Sequence, residues 1–166
     1  MKTCGYCGSE VSSLDEKHFY CDFCEMKLSR DRVTENGERR IIYFRDFAFL
    51  DWIKRSTPEL MMLHTVELLL LLREARKARS DNFGALHLFN KVESKEVEEE
   101  IREAKSYQGG EYKYLTRKMW VLENIIRDRI GYVPERMSQA FLIKQMEQAK
   151  KEPKKMRIRN EPKKSL

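Results

Sequence analysis

The four cysteines constrain this chain more than any other feature of its sequence. They form two C-x2-C pairs, Cys4–Cys7 and Cys21–Cys24, within the first 24 of 166 residues. Two residues between paired cysteines allow one tight turn to direct both sulfur atoms towards the same point. Two such turns place four thiolates at the corners of a tetrahedron, the arrangement that Zn²⁺ prefers. The spacing therefore predicts one zinc ion held by Cys4, Cys7, Cys21 and Cys24.

Disulfide bonds and redox chemistry are the competing interpretations of these pairs. The N-terminal stretch MKTCGYCGSE contains no apolar signal segment, so we expect a cytoplasmic protein, in which disulfides are rare. A redox centre would need only one C-x2-C pair in a thioredoxin-like α/β context, which the sequence does not indicate. Four thiolates leave no open coordination position, and we expect His18 to be a strand residue near the site. The zinc is therefore expected to be structural.

The segment Cys4-Gly5-Tyr6-Cys7-Gly8, followed by Cys21-Asp22-Phe23-Cys24, resembles four-cysteine zinc-ribbon and treble-clef modules. Glu25 stands where a ribbon often has glycine, and Glu25-Met26-Lys27-Leu28 is typical of a helix, which would fit a treble clef. The resemblance covers residues 1–28 and implies a bound metal in a small fold. It implies no particular activity.

The remaining chain is predicted to be mainly α-helical. Residues 29–45 form a connecting hairpin or linker, in which Asn36-Gly37 predicts a type I′ turn between arms near 32–35 and 40–44. Residues 46–151 are predicted to form a bundle of about four or five helices. Residues 152–166 are predicted to be a basic, disordered tail.

Local signals predict where these helices begin and end. A helix is expected from Asp46, and Thr57-Pro58 should open an apolar central helix, although the pattern does not decide whether 58–92 is one helix or two. Ser94 should cap an acidic helix, and Gln108-Gly109-Gly110 should form a loop. Two further helices are expected at about 112–130, ending at Gly131, and 135–151.

The excess positive charge lies at the C-terminal end. The chain has a formal net charge of +6, and the last 17 residues, with eight Lys/Arg and two Glu, account for all of it. Lys and Arg supply most of the affinity of proteins for phosphate backbones. The candidate nucleic-acid-binding residues are therefore Lys150, Lys151, Lys154, Lys155, Arg157, Arg159, Lys163 and Lys164. The first 28 residues hold three Lys/Arg and five Asp/Glu, so we expect the cysteine module to dock on a protein.

Three functions are consistent with these features. The first is a non-enzymatic regulatory or adaptor protein that docks on a protein partner, plausibly in nucleic-acid machinery, with the tail adding phosphate affinity. The second is a sequence-specific DNA-binding regulator that uses a helix-turn-helix-like segment near 117–149, including Arg136 and Gln139. The third is an enzyme with a site around His64 and Glu67. The absence of a glycine-rich phosphate loop and of a nucleophile motif argues against an enzyme. The longest apolar-rich stretch, 60–72, is too short to span a membrane.

Overall fold

The computed structural model describes residues 1–91 and 98–158. The chain forms two compact units. The first contains Met1–Tyr43 together with the described residues from Lys151 onwards, and the second contains Phe44–Lys150. In the sequence, the helical unit therefore lies between the two segments of the first unit.

The first unit contains five short strands in two antiparallel sheets. Strand β1 (Lys2–Cys4) pairs with β5 (Val33–Glu35), and β3 (His18–Cys21) pairs with β2 (Ser12–Ser13) on one side and β4 (Met26–Ser29) on the other. Cross-strand neighbours Phe19 and Leu28 are buried beside Cys4 and Cys21, and they form a small core. A core of this size buries little apolar surface, so a metal or another cross-link is usually needed for such a unit to be stable.

The predicted helix after Cys24 is wrong, because this segment is strand β4. Cys21 pairs with Met26, so only four residues connect β3 to β4 and the chain must reverse sharply. Glu25 achieves this with φ of 53°, a left-handed conformation that glycine adopts more easily. The strand after the second cysteine pair resembles a ribbon rather than a treble clef.

The predicted turn at Asn36-Gly37 is present, but the predicted hairpin around it is wrong. Both residues have positive φ, and the Glu38 N–H donates to the Glu35 carbonyl oxygen at 2.9 Å. The arm before the turn, β5, pairs with β1, and residues 40–44 do not form a strand. Local sequence could specify the turn, whereas the N-terminal strand 30 residues away provides the pairing partner.

The second unit contains the four α-helices of the described residues, with bounds α1 (Thr57–Met61), α2 (Thr65–Lys91), α3 (Glu98–Ile130) and α4 (Gln139–Lys150). Its core is formed mainly by α2, whose residues Leu68–Leu72 are all buried. On α3, Leu115, Leu122, Ile125 and Ile126 are buried and belong to the same core. On α4, Leu142 is buried, and Met137 in the preceding loop packs against the same core.

Several predicted helix boundaries are wrong. A short 3-10 helix, Leu50–Lys54, replaces the helix expected from Asp46. A helix does open at Thr57-Pro58, as predicted, but it is the short α1, which ends at Met61, and the central helix α2 begins at Thr65. The described part of 58–92 therefore contains two helices, and α2 continues from Thr65 to Lys91 without a break. The predicted loop at Gly109-Gly110 lies inside α3. The predicted Ser94 cap lies outside the described residues.

Helix α2 begins with a reciprocal cap formed by His64 and Glu67. The Val66 N–H donates to His64 Nδ1 at 3.1 Å, and the Glu67 carboxylate accepts the His64 N–H at 2.9 Å. Because the first N–H groups of a helix have no partner within it, this exchange explains why the helix starts here. Burial lowers the pKa of His64, and Arg129 opposes its protonation while Glu67 favours it. The neutral ring, which can accept at Nδ1, is therefore the favoured form.

The described part of the predicted tail contacts the first unit. The Met156 N–H donates to the Gly37 carbonyl oxygen at 2.7 Å, and Arg39 Nε donates to the Lys154 carbonyl oxygen at 2.9 Å. Lys155 Nζ lies 2.9 Å from Glu38 Oε1. These contacts join residues more than 110 positions apart in the sequence. Residues 159–166 lie outside the described part of the chain.

Candidate metal centre

Four sulfur atoms converge at one point in the first unit. The Sγ atoms of Cys4, Cys7, Cys21 and Cys24 all lie within 4.8 Å of one another. The Sγ atoms of Cys4 and Cys24 are 3.9 Å apart, and those of Cys7 and Cys21 are 3.5 Å apart. A disulfide S–S bond is about 2.05 Å long, so these sulfurs are free thiols. The predicted convergence of the four residues is present.

The sulfur spacing fits a tetrahedral metal ion. A Zn–S bond of about 2.3 Å implies about 3.8 Å between neighbouring sulfurs of a tetrahedron. The measured distances of 3.5 and 3.9 Å lie on either side of that value. The donor set is all sulfur, which soft or borderline metals favour over Mg²⁺ and Ca²⁺. The cluster can therefore hold one metal ion with every position filled by protein.

Two turns bring the sulfurs into place. The first knuckle, residues 4–9, follows β1, and the second, residues 21–25, connects β3 to β4. In the first knuckle the Tyr6 N–H donates to Cys4 Sγ at 3.4 Å and the Ser9 N–H donates to Cys7 Sγ at 3.5 Å. Such donors favour the thiolate form that a metal requires.

The pKa values of Cys7, Cys21 and Cys24 are shifted in different directions. Burial raises the pKa of Cys7, but hydrogen bonds from Ser9 and from the neighbouring cysteines outweigh it and lower the pKa to about 6. The hydrogen bond that Cys24 shares with Cys7 is the main reason that the pKa of Cys24 rises to about 12, and burial raises the pKa of Cys21. Among these three thiols, Cys7 is therefore the one that loses its proton most easily.

Gly8 is required by its position behind the first knuckle. It has φ of +77°, and a Cβ atom there would lie 2.9 Å from the Met156 Cβ. Gly37 is similar, with φ of +71° and a Cβ position 2.6 Å from the Met156 carbonyl oxygen. Both glycines therefore permit the segment around Met156 to lie against the knuckle.

The two knuckles differ in their surroundings. The second carries Asp22, Phe23 and Glu25, all exposed, and 77% of Phe23 is accessible to solvent. Beside the first knuckle, Arg32 Nη1 donates to the Tyr6 hydroxyl at 2.9 Å, and Arg39, Lys155 and Arg157 line a groove next to Tyr6. The unit is therefore acidic and aromatic at one knuckle and basic at the other.

The predicted nucleic-acid-binding residues do not form one group. Lys154, Lys155 and Arg157 lie in the first unit, all exposed. Lys150 is the last residue of α4 and lies 3.4 Å from Asp46 Oδ2 within the second unit. Lys151 is exposed at the start of the segment that returns to the first unit. Arg159, Lys163 and Lys164 lie outside the described residues.

Sequence reasoning missed Arg32, Arg39 and Arg40 as neighbours of the first knuckle. Arg39 lines the groove with the tail residues, and the Arg40 Cδ lies 3.4 Å from where a Cβ on Gly5 would be. The excess positive charge at the C-terminal end led to the prediction of phosphate-binding residues in that segment alone. The available signal was the pair Arg39-Arg40, which follows Asn36-Gly37 after one intervening residue, Glu38.

The other candidate residues have structural partners. His64 and Glu67 are used at the start of α2, and the Glu67 carboxylate also accepts the Arg45 N–H at 3.1 Å. His18 begins β3, and its Nδ1 lies 2.8 Å from Asp15 Oδ2. Eight residues separate α3 from α4, more than the three or four of a helix-turn-helix, and Gln139 accepts a hydrogen bond from Arg73. Use of Arg136 and Gln139 in DNA recognition, and the absence of enzyme activity, remain predictions.

No protein family, curated protein or solved structure that was compared with the chain matches it. None of the helices that the structure describes is long and apolar enough to cross a membrane. The fold and site thus define a mainly α-helical protein with a separate β-stranded unit that carries four cysteines positioned to hold a metal ion.

Proposed function

We propose that the protein is a non-enzymatic adaptor whose first unit is held together by one structural Zn²⁺ and docks on a protein partner. The main support is the closed set of four sulfurs beneath an exposed aromatic knuckle. Four thiolates fill the zinc coordination shell, so no position is left for a substrate or an activated water. The metal then stabilises the shape of the surface around it.

The second knuckle is the surface proposed for docking. Phe19 fills the small core, but Phe23 lies at the tip of the knuckle and is 77% exposed. Aromatic residues surrounded by charged groups are typical of protein interfaces. Asp22 and Glu25 flank Phe23, so the partner surface is expected to have an apolar pocket with basic residues at its edge.

Zinc binding is tested with the full chain by metal analysis and thiol titration. We expect one zinc per chain, and all four thiols should become reactive only after a strong chelator is added. All cysteines of the chain belong to the cluster, so the count needs no correction for other thiols. A Cys21→Ser variant should bind zinc much more weakly. Four reactive thiols in the untreated protein, or a metal content near zero after purification with zinc, would contradict the proposal.

Docking is tested by comparing Phe23→Ser with Leu14→Ser in pull-downs of the zinc-loaded protein. Leu14 is 55% exposed in the same unit but lies before β3, at the opposite end of that strand from the second knuckle. A true partner should be retained by wild type and Leu14→Ser and lost with Phe23→Ser, at unchanged zinc content. If both variants retain the same proteins as wild type, the second knuckle is not the docking surface.

A further inference from the structure

Basic side chains from three separate segments surround the first knuckle. Arg32 contacts the Tyr6 hydroxyl, Arg39 and Arg40 follow the turn at Asn36-Gly37, and Lys155 and Arg157 come from the other end of the chain. The sequence of the first 28 residues alone is acidic, so this concentration of charge arises only in the folded unit. It creates a positive surface on a module that its own sequence marks as acidic.

Three of these residues, Arg39, Lys155 and Arg157, line a groove with a cavity volume of about 580 Å³. Its walls are the first knuckle, with Tyr6, and the segment 155–158, with Arg39 beside it. The volume lies within the range of about 300 to 1,000 Å³ that is usual for sites that hold small organic groups. Tyr6 is 52% exposed, so one side of its ring is available at the groove. The groove therefore combines cations with an aromatic surface.

The groove is held open by defined contacts. Arg39 Nε donates to the Lys154 carbonyl oxygen, Lys155 Nζ pairs with Glu38, and Met156 is fixed by the Gly37 carbonyl oxygen. The two cationic side chains at the edge are thereby positioned before any ligand arrives. Preorganised groups lose less conformational entropy on binding than mobile ones.

We propose that this groove binds single-stranded nucleic acid, with the phosphate backbone on Arg39, Lys155 and Arg157 and a base stacked on Tyr6. Cations that follow a backbone beside an aromatic ring are the usual arrangement for binding single strands. Bases in a duplex are already stacked, so their faces cannot reach Tyr6. This inference rests on the phosphate affinity that the sequence predicts for the basic segment, and it assigns that affinity a site and a ligand.

A different role for the same cations is to offset the negative charge of the thiolates, since Cys7 also lines the groove. If that is their role, removal of the cations should weaken metal binding and leave nucleic-acid affinity unchanged. The groove proposal predicts weaker nucleic-acid binding and unchanged metal affinity. Metal affinity and oligonucleotide affinity must therefore be measured on the same variants.

The experiment uses the full zinc-loaded chain and a fluorescein-labelled 20-nucleotide poly(dT) strand, with anisotropy recorded over a range of salt concentrations. Lys155→Gln/Arg157→Gln is compared with Lys17→Gln/Lys27→Gln, which removes the same charge from exposed sites of the unit outside the groove. Each lost phosphate contact should reduce the slope of log K against log salt by about 0.7. Lys155→Gln/Arg157→Gln removes two contacts and should therefore reduce the magnitude of this slope by about 1.4. Lys17→Gln/Lys27→Gln should leave the slope unchanged.

Tyr6 provides the second comparison. Tyr6→Ala should weaken binding at least about fivefold, the lower limit for loss of one base–aromatic stack. Tyr6→Phe keeps the ring and removes only the hydroxyl that accepts from Arg32, so it should bind nearly as well as wild type. A duplex of the same length should bind more weakly than the single strand and should not respond to Tyr6→Ala.

Five results would overturn the proposal. The first is equal loss of affinity in the groove variant and its charge-matched control. The second is an unchanged affinity of Tyr6→Ala, and the third is a duplex that binds as well as the single strand, because the surface would then be a general polyanion site. The fourth is loss of all binding on truncation after Ile158 with no effect of the groove variants. The fifth is tighter binding to phosphatidylserine vesicles than to the strand. Protein capture through Phe23 is measured separately, so failure here leaves that test unaffected.

Discussion

Glu67→Ala should lower the free energy of unfolding of the second unit far more than Glu59→Ala. Both glutamates accept a backbone N–H at the start of a helix, but only Glu67 is buried. The Glu67 side chain is buried, with 5% exposed, and its carboxylate accepts the N–H groups of His64 at 2.9 Å and Arg45 at 3.1 Å. Arg45 Nη1 lies 3.3 Å from the same carboxylate. Glu67→Ala leaves the backbone N–H groups of His64 and Arg45 without their acceptor, at a partly buried site to which water has limited access.

The magnitude follows from the cost of unsatisfied donors. Each buried N–H that loses its acceptor costs about 1 to 3 kcal/mol, so two partly buried groups predict a loss of about 3 kcal/mol in the free energy of unfolding. Glu59 provides the matched control, because it accepts the Ser56 N–H at 2.8 Å at the start of α1 and is exposed. Water can replace its carboxylate, so Glu59→Ala should cost about 1 kcal/mol or less.

The assay is urea unfolding followed by tryptophan fluorescence. Both tryptophans, Trp52 and Trp120, lie in the second unit, so the signal reports that unit alone. Glu67→Gln should fall between wild type and Glu67→Ala, because an amide oxygen can accept one of the two N–H groups while its NH₂ faces the other. If Glu67→Ala is no more destabilising than Glu59→Ala, the assigned role of the buried cap is wrong.

Three further predictions concern pH, glycine and metal. Because burial lowers the pKa of His64 below its usual 6.5, the unfolded chain takes up the proton first, so the stability of the second unit should fall as pH drops below about 6.5; His64→Asn, which can still cap the helix, should remove that part of the pH dependence of urea midpoints. Gly131, with φ of +83°, ends α3, whereas Gly109 lies inside it with open space around its Cβ position. Gly131→Ala should therefore lower the thermal unfolding stability by about 1 kcal/mol, and Gly109→Ala should raise it by a similar amount; the same sign for both would contradict these assignments. Chelation of the metal should unfold the first unit, seen as loss of amide protection in residues 1–43, and leave the tryptophan unfolding curve unchanged, because the two cores share no residue.

The local sequence was sufficient where chemistry and spacing act over a few residues. The two C-x2-C pairs predicted the convergence of four sulfurs, since each pair needs only one turn and the chain between the pairs folds back as the hairpin of β2 and β3. The apolar run 68–72 predicted the buried central helix, because residues that are apolar on every side cannot remain in water. Gly131 predicted the end of α3, and in the structure it has the positive φ that glycine commonly adopts after a helix.

Local propensity failed where tertiary contacts outweighed it. Gly109-Gly110 indicated a loop, but the cost of two glycines in a helix, about 1 kcal/mol each, is small beside the burial of Leu115 and Leu122 on the same helix. Basic residues of α2 also contribute contacts that no local pattern specifies. Arg76 Nη2 donates to Glu123 at 2.8 Å and Arg79 to Thr116, so both residues connect α2 to α3.

The chain by itself determined that four sulfurs converge, that the second unit is mainly α-helical, and how much positive charge the protein carries. Only the tertiary structure decided where that charge lies among the described residues. Pairing of β1 with β5 and the hydrogen bond from Met156 to Gly37 join segments about 30 and 120 residues apart. Such pairings depend on shape and on backbone groups that every residue carries, so no local pattern specifies them. The basic residues Lys155 and Arg157, which are distant from the cysteines in the sequence, therefore lie beside the first knuckle.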